Sequence, residues 1–120
     1  MACNEDKFNK LCAEMGGFSP DTLRAIKELD PKFIGLIHDM DRVMVEDGAI
    51  SKKDKRLMAL ACVAVRMCDD CIYPQAKVAK NYGATREEIL ESMRVAVMIG
   101  GVPCWSAAKK GITRLFDEWE

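Results

Sequence analysis

The stretch "KRLMALACVAVRMCDDCIYPQ", residues 55–75, carries the two features from which the fold is read. Every side chain over residues 57–65 is apolar. A helix with no polar stripe over nine residues is surrounded on nearly all sides, in the centre of a bundle or at a subunit contact. The second feature is Pro74. Proline has no N–H and crowds the carbonyl four residues back, so it is tolerated in the first turn of a helix, where the first four N–H groups have no partner in any case. The expectation is that the helix carrying "QAKVAKNYG" begins no earlier than Cys71, the alternative being a proline-kinked helix that already runs through Cys68. Cys71 then lies in its first turn or at its cap, with Cys68 just before it.

Outward from this stretch, helix signals punctuate the chain and strand signals do not. Phe8, Leu11, Cys12 and Met15 share one helical face, and Gly16-Gly17 stops it. Ser19-Pro20 and Asp30-Pro31 each read as a cap followed by a first helical proline, opening helices to Leu29 and to about Glu46, with Gly48 beyond. Ser51 and Asp54 have capping-box spacing ahead of the apolar run. Thr85 and Glu88 form a second box ahead of "REEILESMRVAVMIGG", which ends on Gly100-Gly101. Pro103 admits a last helix with Trp105, Ile112, Leu115, Phe116 and Trp119 on its apolar surface. The expectation is an all-α bundle of about six helices in a single domain over residues 1–120. The eight methionines read as flexible fillers of a helical core.

Charge narrows the function. The 18 basic residues are balanced by 19 acidic ones, leaving no basic surface for a phosphate backbone, so nucleic acid is not an expected partner. No run reaches the about 18 apolar residues of a membrane span, and "MACNEDKFNK" lacks the apolar core of a signal peptide. The expected location is the cytoplasm, with no membrane partner.

In a reducing cytosol, close C-x-x-C spacing suggests redox chemistry or metal binding more than a structural disulfide. Cys68 and Cys71 have that spacing; Cys3, Cys12, Cys62 and Cys104 are scattered singly, and His38 is the only histidine. A four-ligand zinc site would need distant cysteines to converge. A thiol at a helix N-terminus is pushed toward the thiolate, whereas Asp69 and Asp70 push the other way unless a cation such as Arg56 or Arg66 offsets them. Three readings of the pair stay open at this point: a redox dithiol, metal ligands, or two small buried apolar groups. Cys62, inside the apolar run, reads as a packing residue, and Cys104 beside Gly100-Gly101 as either a packing residue, the favoured reading, or a third member of the site formed by the pair.

The stretch from Asp47 to Gly101 resembles the carboxymuconolactone decarboxylase superfamily. The resemblance rests on Gly48-x-Ile50-Ser51, "KRLMALA" (55–61), Cys68-x-x-Cys71 and "GATREEI" (83–89), in the family's order, from about Asp30 to Gly111. The cysteine pair is similar to that of the AhpD-like alkylhydroperoxidase branch. The resemblance implies an all-α fold assembling as homotrimers or homohexamers, with no cofactor. It also implies thiol chemistry, in which Cys71 attacks a peroxide or small disulfide, Cys68 resolves the product into a disulfide, and a dithiol or redox-protein electron donor reduces it.

The family's peroxidase pattern has a glutamate twelve residues before the first cysteine and a histidine four after the second. Arg56 and Gln75 stand there. Gln75 orients a hydrogen bond but accepts no proton at neutral pH, and Arg56 is permanently charged, so Arg56 and Gln75 are supporting residues with no relay between them. A standing field from Arg56 on the thiol pair is one role; a surface arginine paired with a nearby acid is the other. Two other classes of function stay open: a decarboxylase-like lyase acting on a small organic acid, and a non-catalytic metal or iron-sulfur module.

Overall fold

The computed structural model describes residues 4–119. The described residues form eight helices and no strands: α1 (Asn4–Glu14), α2 (Asp21–Leu29), α3 (Pro31–Met40), α4 (Arg42–Val45), α5 (Lys52–Val65), α6 (Asp69–Asn81), α7 (Arg86–Gly100) and α8 (Pro103–Glu118). The all-α expectation holds with more helices than expected. The single helix expected over residues 31–46 is broken at Asp41 (φ −78°, ψ 3°), which caps α3 and precedes the one-turn α4. The helix expected to open on Ser19-Pro20 begins one residue later, with Pro20 itself in the cap position.

The helices group into two compact units, one ending at Lys52 and one beginning at Lys53. In the first, Phe8, Leu11, Met15, Ile34 and Val45 form the buried apolar set. Gly35 lets α1 and α3 approach closely, since a Cβ there would lie 2.7 Å from Asn4 Oδ1. Around them Arg42 holds the Glu14 carboxylate with both terminal nitrogens, and Lys7 Nζ reaches Asp39 at 3.0 Å.

In the second unit Leu60, Ile72, Ile89, Met93, Cys104, Ile112 and Leu115 are buried, together with alanines from all four helices. Burying such a side chain is worth roughly 1.5–3 kcal/mol, which makes this cluster the main support for α6. The expected Thr85–Glu88 capping box is present, with Glu88 N–H donating to Thr85 Oγ1 at 3.1 Å and Thr85 N–H to Glu88 Oε1 at 2.9 Å. The free Glu88 oxygen takes Lys53 Nζ at 2.8 Å, tying the starts of α5 and α7 together.

Within a single chain the apolar run of α5 is covered on one side only. On α5, Arg56, Leu60 and Ala64 face inward, while Met58, Cys62 and Val65 are exposed. Met98 and Ile99 near the end of α7, and Val102 just beyond it, are exposed as well. Val65 is adjacent to that end, 3.5 Å from the position a Cβ would take on Gly100.

Candidate functional site: a thiol pair where two helix ends meet

The site begins with the way α5 stops. Met67 N–H donates to Ala64 C=O and Cys68 N–H to Val63 C=O, each at 3.0 Å, with Met67 at φ 60°. These two bonds close a Schellman cap, which satisfies the carbonyls left open at a helix end and requires left-handed backbone at the residue after the cap. The same closure ends α1 at Gly16 (φ 83°) and α6 at Gly83 (φ 100°). Glycine takes that conformation freely, whereas an L side chain does so at a cost of roughly 1–2 kcal/mol. Met67 is the one non-glycine at positive φ among the described residues, and it immediately precedes Cys68.

Cys68 then serves the next helix as its N-cap, in extended backbone (φ −88°, ψ 90°), and its carbonyl accepts from Cys71 N–H at 3.0 Å. Cys71 is the third residue of α6. The two half-buried cysteines are joined in a disulfide across a Cα–Cα distance of 5.3 Å, within the range such a bridge requires. The expected boundary needs correction. The helix starts at Asp69, two residues earlier than Pro74 was expected to allow, and Pro74 falls at its sixth position. The bond that proline cannot make is to the carbonyl of Asp70, an exposed residue of the first turn.

Asp69 and Asp70 occupy the first turn, where the helix dipole favours negative charge, and the Asp69 carboxylate accepts from Asp70 N–H at 2.9 Å. Their carboxylates are thus held in part by the helix itself. Arg66 is exposed just beyond α5.

Arg56 is not the surface arginine that was one of its two expected roles: only 5% of it is exposed. Its Nη1 donates to Gln75 Oε1 at 3.2 Å, and its guanidinium carbon lies 5.9 Å from the centre of the Tyr82 ring. Gln75 and Tyr82 lie two helical turns apart on one face of α6, and Cys71 is one turn before Gln75 on the same face. The two supporting residues expected beside the thiols are therefore bonded to each other, in line with Cys71.

Tyr73 is a contributor that the sequence reading passed over. Its hydroxyl donates to Glu118 Oε2 at 2.6 Å, and the Arg114 guanidinium lies 3.7 Å from its ring centre while donating to Glu118 Oε1. Burial, and then the Glu118 carboxylate, push the phenol up to about 12, against the lowering effect of Arg114. The aromatic between Cys71 and Pro74 was the available signal. Beside it Gly111 lets α8 come against α6: a Cβ there would lie 2.9 Å from both Ile72 Cγ2 and Tyr73 N.

The remaining thiols lie apart from this arrangement. Cys104 is fully buried, with its sulfur 3.7 Å from the Ala96 carbonyl oxygen, as a packing cysteine should be. Cys62 contradicts the packing expectation, because the face of α5 that carries it is exposed. Cys12 is partly buried; burial raises its pKa, against the lowering effects of the Ser19 side chain and of the positive charges of Lys27 and Arg24. Cys3 lies outside the described residues. His38 belongs to the first unit, where its Nδ1 is 2.9 Å from Asp39 Oδ1 and its Nε2 is 3.9 Å from Glu14 Oε1. A surface depression along α8, from Lys109 to Glu118, contains neither Cys68 nor Cys71. No helix among the described residues is long and apolar enough to cross a membrane.

The family model described as "Carboxymuconolactone decarboxylase family" matches residues 31–112. The chain is similar to uncharacterized protein 4 in the cox locus of Paracoccus denitrificans, at 34% identity over 95 residues, spanning 79% of this chain and 82% of that protein. It is also similar to the alkyl hydroperoxide reductase AhpD of Corynebacterium kroppenstedtii, at 34% identity over 59 residues, which are 49% of this chain and 34% of that longer protein. Among solved structures, a carboxymuconolactone decarboxylase family protein from Legionella pneumophila superposes with a TM-score of 0.67 at 27% identity, over 91% of this chain and 96% of that one.

Proposed function

The chain belongs to the carboxymuconolactone decarboxylase family, and on that footing we propose that it is a thiol-disulfide oxidoreductase of the AhpD-like type, cycling Cys68 and Cys71 between dithiol and disulfide. The observation that carries the proposal is the bridge itself: two half-buried cysteines, joined at the N-terminus of α6 with an exposed first turn beside them.

In the oxidising half-cycle the Cys71 thiolate attacks one oxygen of a peroxide. The O–O bond breaks, the leaving oxygen takes up a proton as water or alcohol, and Cys71 becomes a sulfenic acid. The Cys68 thiol attacks that sulfur, hydroxide leaves and is protonated to water, and the disulfide forms. With a small disulfide as oxidant, Cys71 instead attacks sulfur, a thiolate leaves, and Cys68 displaces the second thiolate. In the reducing half-cycle an external dithiol protein passes its two electrons back by the same exchange.

The chemistry of the flanking residues favours disulfide exchange over peroxide reduction. A general base contributes about a hundredfold or more, and neither Arg56 nor Gln75 accepts a proton. What remains is to hold a thiolate already formed, and the helix N-terminus together with the buried charge of Arg56 supports that.

Assembly is the second part of the proposal. The uncharged face formed by Val65, Met98, Ile99 and Val102, each more than a third exposed, fits a second copy of this chain. Contiguous apolar patches of this kind mark interaction surfaces. A homotrimer or homohexamer is the expected form, and light scattering of the Ile99→Lys variant against wild type tests it, since monomeric wild-type protein would refute assembly.

The decisive test of the thiol reading is a redox titration in glutathione buffers, with mass-spectrometric mapping of the Cys68–Cys71 peptide after substoichiometric peroxide. The expected outcome is one disulfide linking the two, formed and reduced reversibly and abolished in Cys71→Ser. Failure to form it at any poise ends the oxidoreductase reading.

A further inference from the structure

Resting on the thiol-disulfide reading, a more specific role follows from the hydrogen bond between Arg56 Nη1 and Gln75 Oε1. A guanidinium carries five N–H donors and no acceptor. The amide of Gln75 can meet it in one orientation only, with its oxygen toward Arg56 and its NH2 turned away. Arg56 does not lose its proton at any pH a folded protein survives, so this orientation does not reverse. Arg56 is itself held, buried against Gln75 and the ring of Tyr82, which caps α6 two turns further on.

Gln75 is four residues after Cys71. Side chains four apart on a helix are neighbours, with Cβ atoms about 5–6 Å apart, and long ones lean back over the preceding turn. The preceding turn on that face is Cys71. We propose that Arg56 fixes Gln75 as a hydrogen-bond donor to the Cys71 sulfur in the dithiol state, and to the oxygen of its sulfenate when one forms. Where the family pattern has a residue that takes a proton away, this chain has an amide clamped to stabilise the anion left behind. Arg56 is a positioning residue in this arrangement: it acts on sulfur through the amide it orients.

Other charges bear on the same sulfur. Asp69 and Asp70 lie in its own first turn, Arg66 follows α5, and Arg114 and Glu118 on α8 are engaged with Tyr73. None of these fixes an amide, so the proposal separates from general electrostatics by the behaviour of isosteric variants.

The experiment measures the rate of iodoacetamide labelling of Cys71 in the fully reduced protein as a function of pH, read by peptide mapping. Gln75→Glu keeps the shape and the Arg56 contact but replaces the donor by an anion. It is expected to raise the midpoint of the labelling profile by about one pH unit or more, a roughly tenfold loss of thiolate at neutral pH. Gln75→Met, close to the same volume with no donor, is expected to raise it by less. Arg56→Met frees the amide to turn over and should follow Gln75→Met, whereas Arg56→Lys, still a donor without an acceptor, should hold the wild-type midpoint. Circular dichroism melts report folding for each variant, and the two Gln75 variants, at a half-buried site, serve if the buried Arg56 variants do not fold. Unchanged midpoints in folded Gln75→Glu and Gln75→Met overturn the proposal. Because reversible disulfide formation is scored separately, that outcome is distinct from loss of the oxidoreductase reading.

Discussion

Met67 stands at the end of α5 in the place that Gly83 occupies at the end of α6: each donates to the carbonyl three residues back from left-handed backbone, and the residue after each closes the wider turn. The two positions form a natural control for one another. Met67→Gly is expected to be neutral to stabilising by about 1 kcal/mol, the relief of the left-handed side chain less the extra entropy glycine loses on folding. Gly83→Ala is expected to destabilise by about 1 kcal/mol, as a side chain enters the same conformation with no relief elsewhere. Urea unfolding of both variants in the reduced and oxidised forms checks the pair.

The double change Arg56→Glu with Gln75→His installs the acid and the histidine of the family's peroxidase pattern. Peroxide-dependent disulfide formation should rise by about tenfold to a hundredfold, the range a positioned base provides. Stopped-flow measurement with excess peroxide reads the rate. No gain in a correctly folded variant would show that these two positions do not face the thiol as their sequence register implies.

Tyr73 titrates late. Burial and the Glu118 carboxylate raise its pKa from 10 to about 12, so folding contributes stability that is complete below pH 10 and is lost as the pH rises toward 12. Absorbance of the phenolate at alkaline pH should show a late tyrosine step in the wild type that moves toward 10 in Glu118→Gln.

In the first unit, the hydrogen bonds from Arg42 lower the Glu14 pKa below its usual 4.5, against the raising effect of burial. A depressed carboxylate contributes stability present above pH 4.5 and lost as the pH falls through the folded value. Glu14→Gln is expected to cost about 1 kcal/mol at pH 7, the upper end for a partly exposed pair, and little at pH 3. Thermal melts of both proteins across that interval should converge at the acid end.

Gly111→Ala places a methyl 2.9 Å from the Tyr73 backbone nitrogen and from Ile72 Cγ2. A backbone neighbour cannot rotate away, so α8 must move off α6, at a cost of about 1–3 kcal/mol. Lowered urea midpoints together with slower labelling of reduced Cys71 would mark α8 as the buttress of the site; unchanged values for both would place the strain elsewhere.

Much of this was legible in the residues. The Thr85–Glu88 box and the glycine stops report on local chemistry, which the chain states directly, and Pro74 marked the start of α6 to within two residues. Three features were not legible. Nothing about methionine announces left-handed backbone; Met67 adopts it where the closing cap of α5 runs directly into the opening cap of α6. The apolar run of α5 carries no mark of which side is covered, so Cys62 read as core and is exposed. Arg56 looked equally suited to the surface, and its burial against Gln75 and Tyr82 is a fact of tertiary packing that helical spacing does not contain.

Cys68 belongs to two helices through its backbone alone. Its N–H closes α5 on Val63 and its carbonyl opens α6 on Cys71, while its sulfur takes no part in either cap. On the proposed thiol-disulfide reading, the electrons would come and go on atoms that neither cap uses. If the pair cycles as proposed, the corner is expected to keep its angle whether the sulfurs are joined or parted, so that the chain would act as an electrical contact and not as a hinge, its state written in a single bond and legible only to whatever touches that bond.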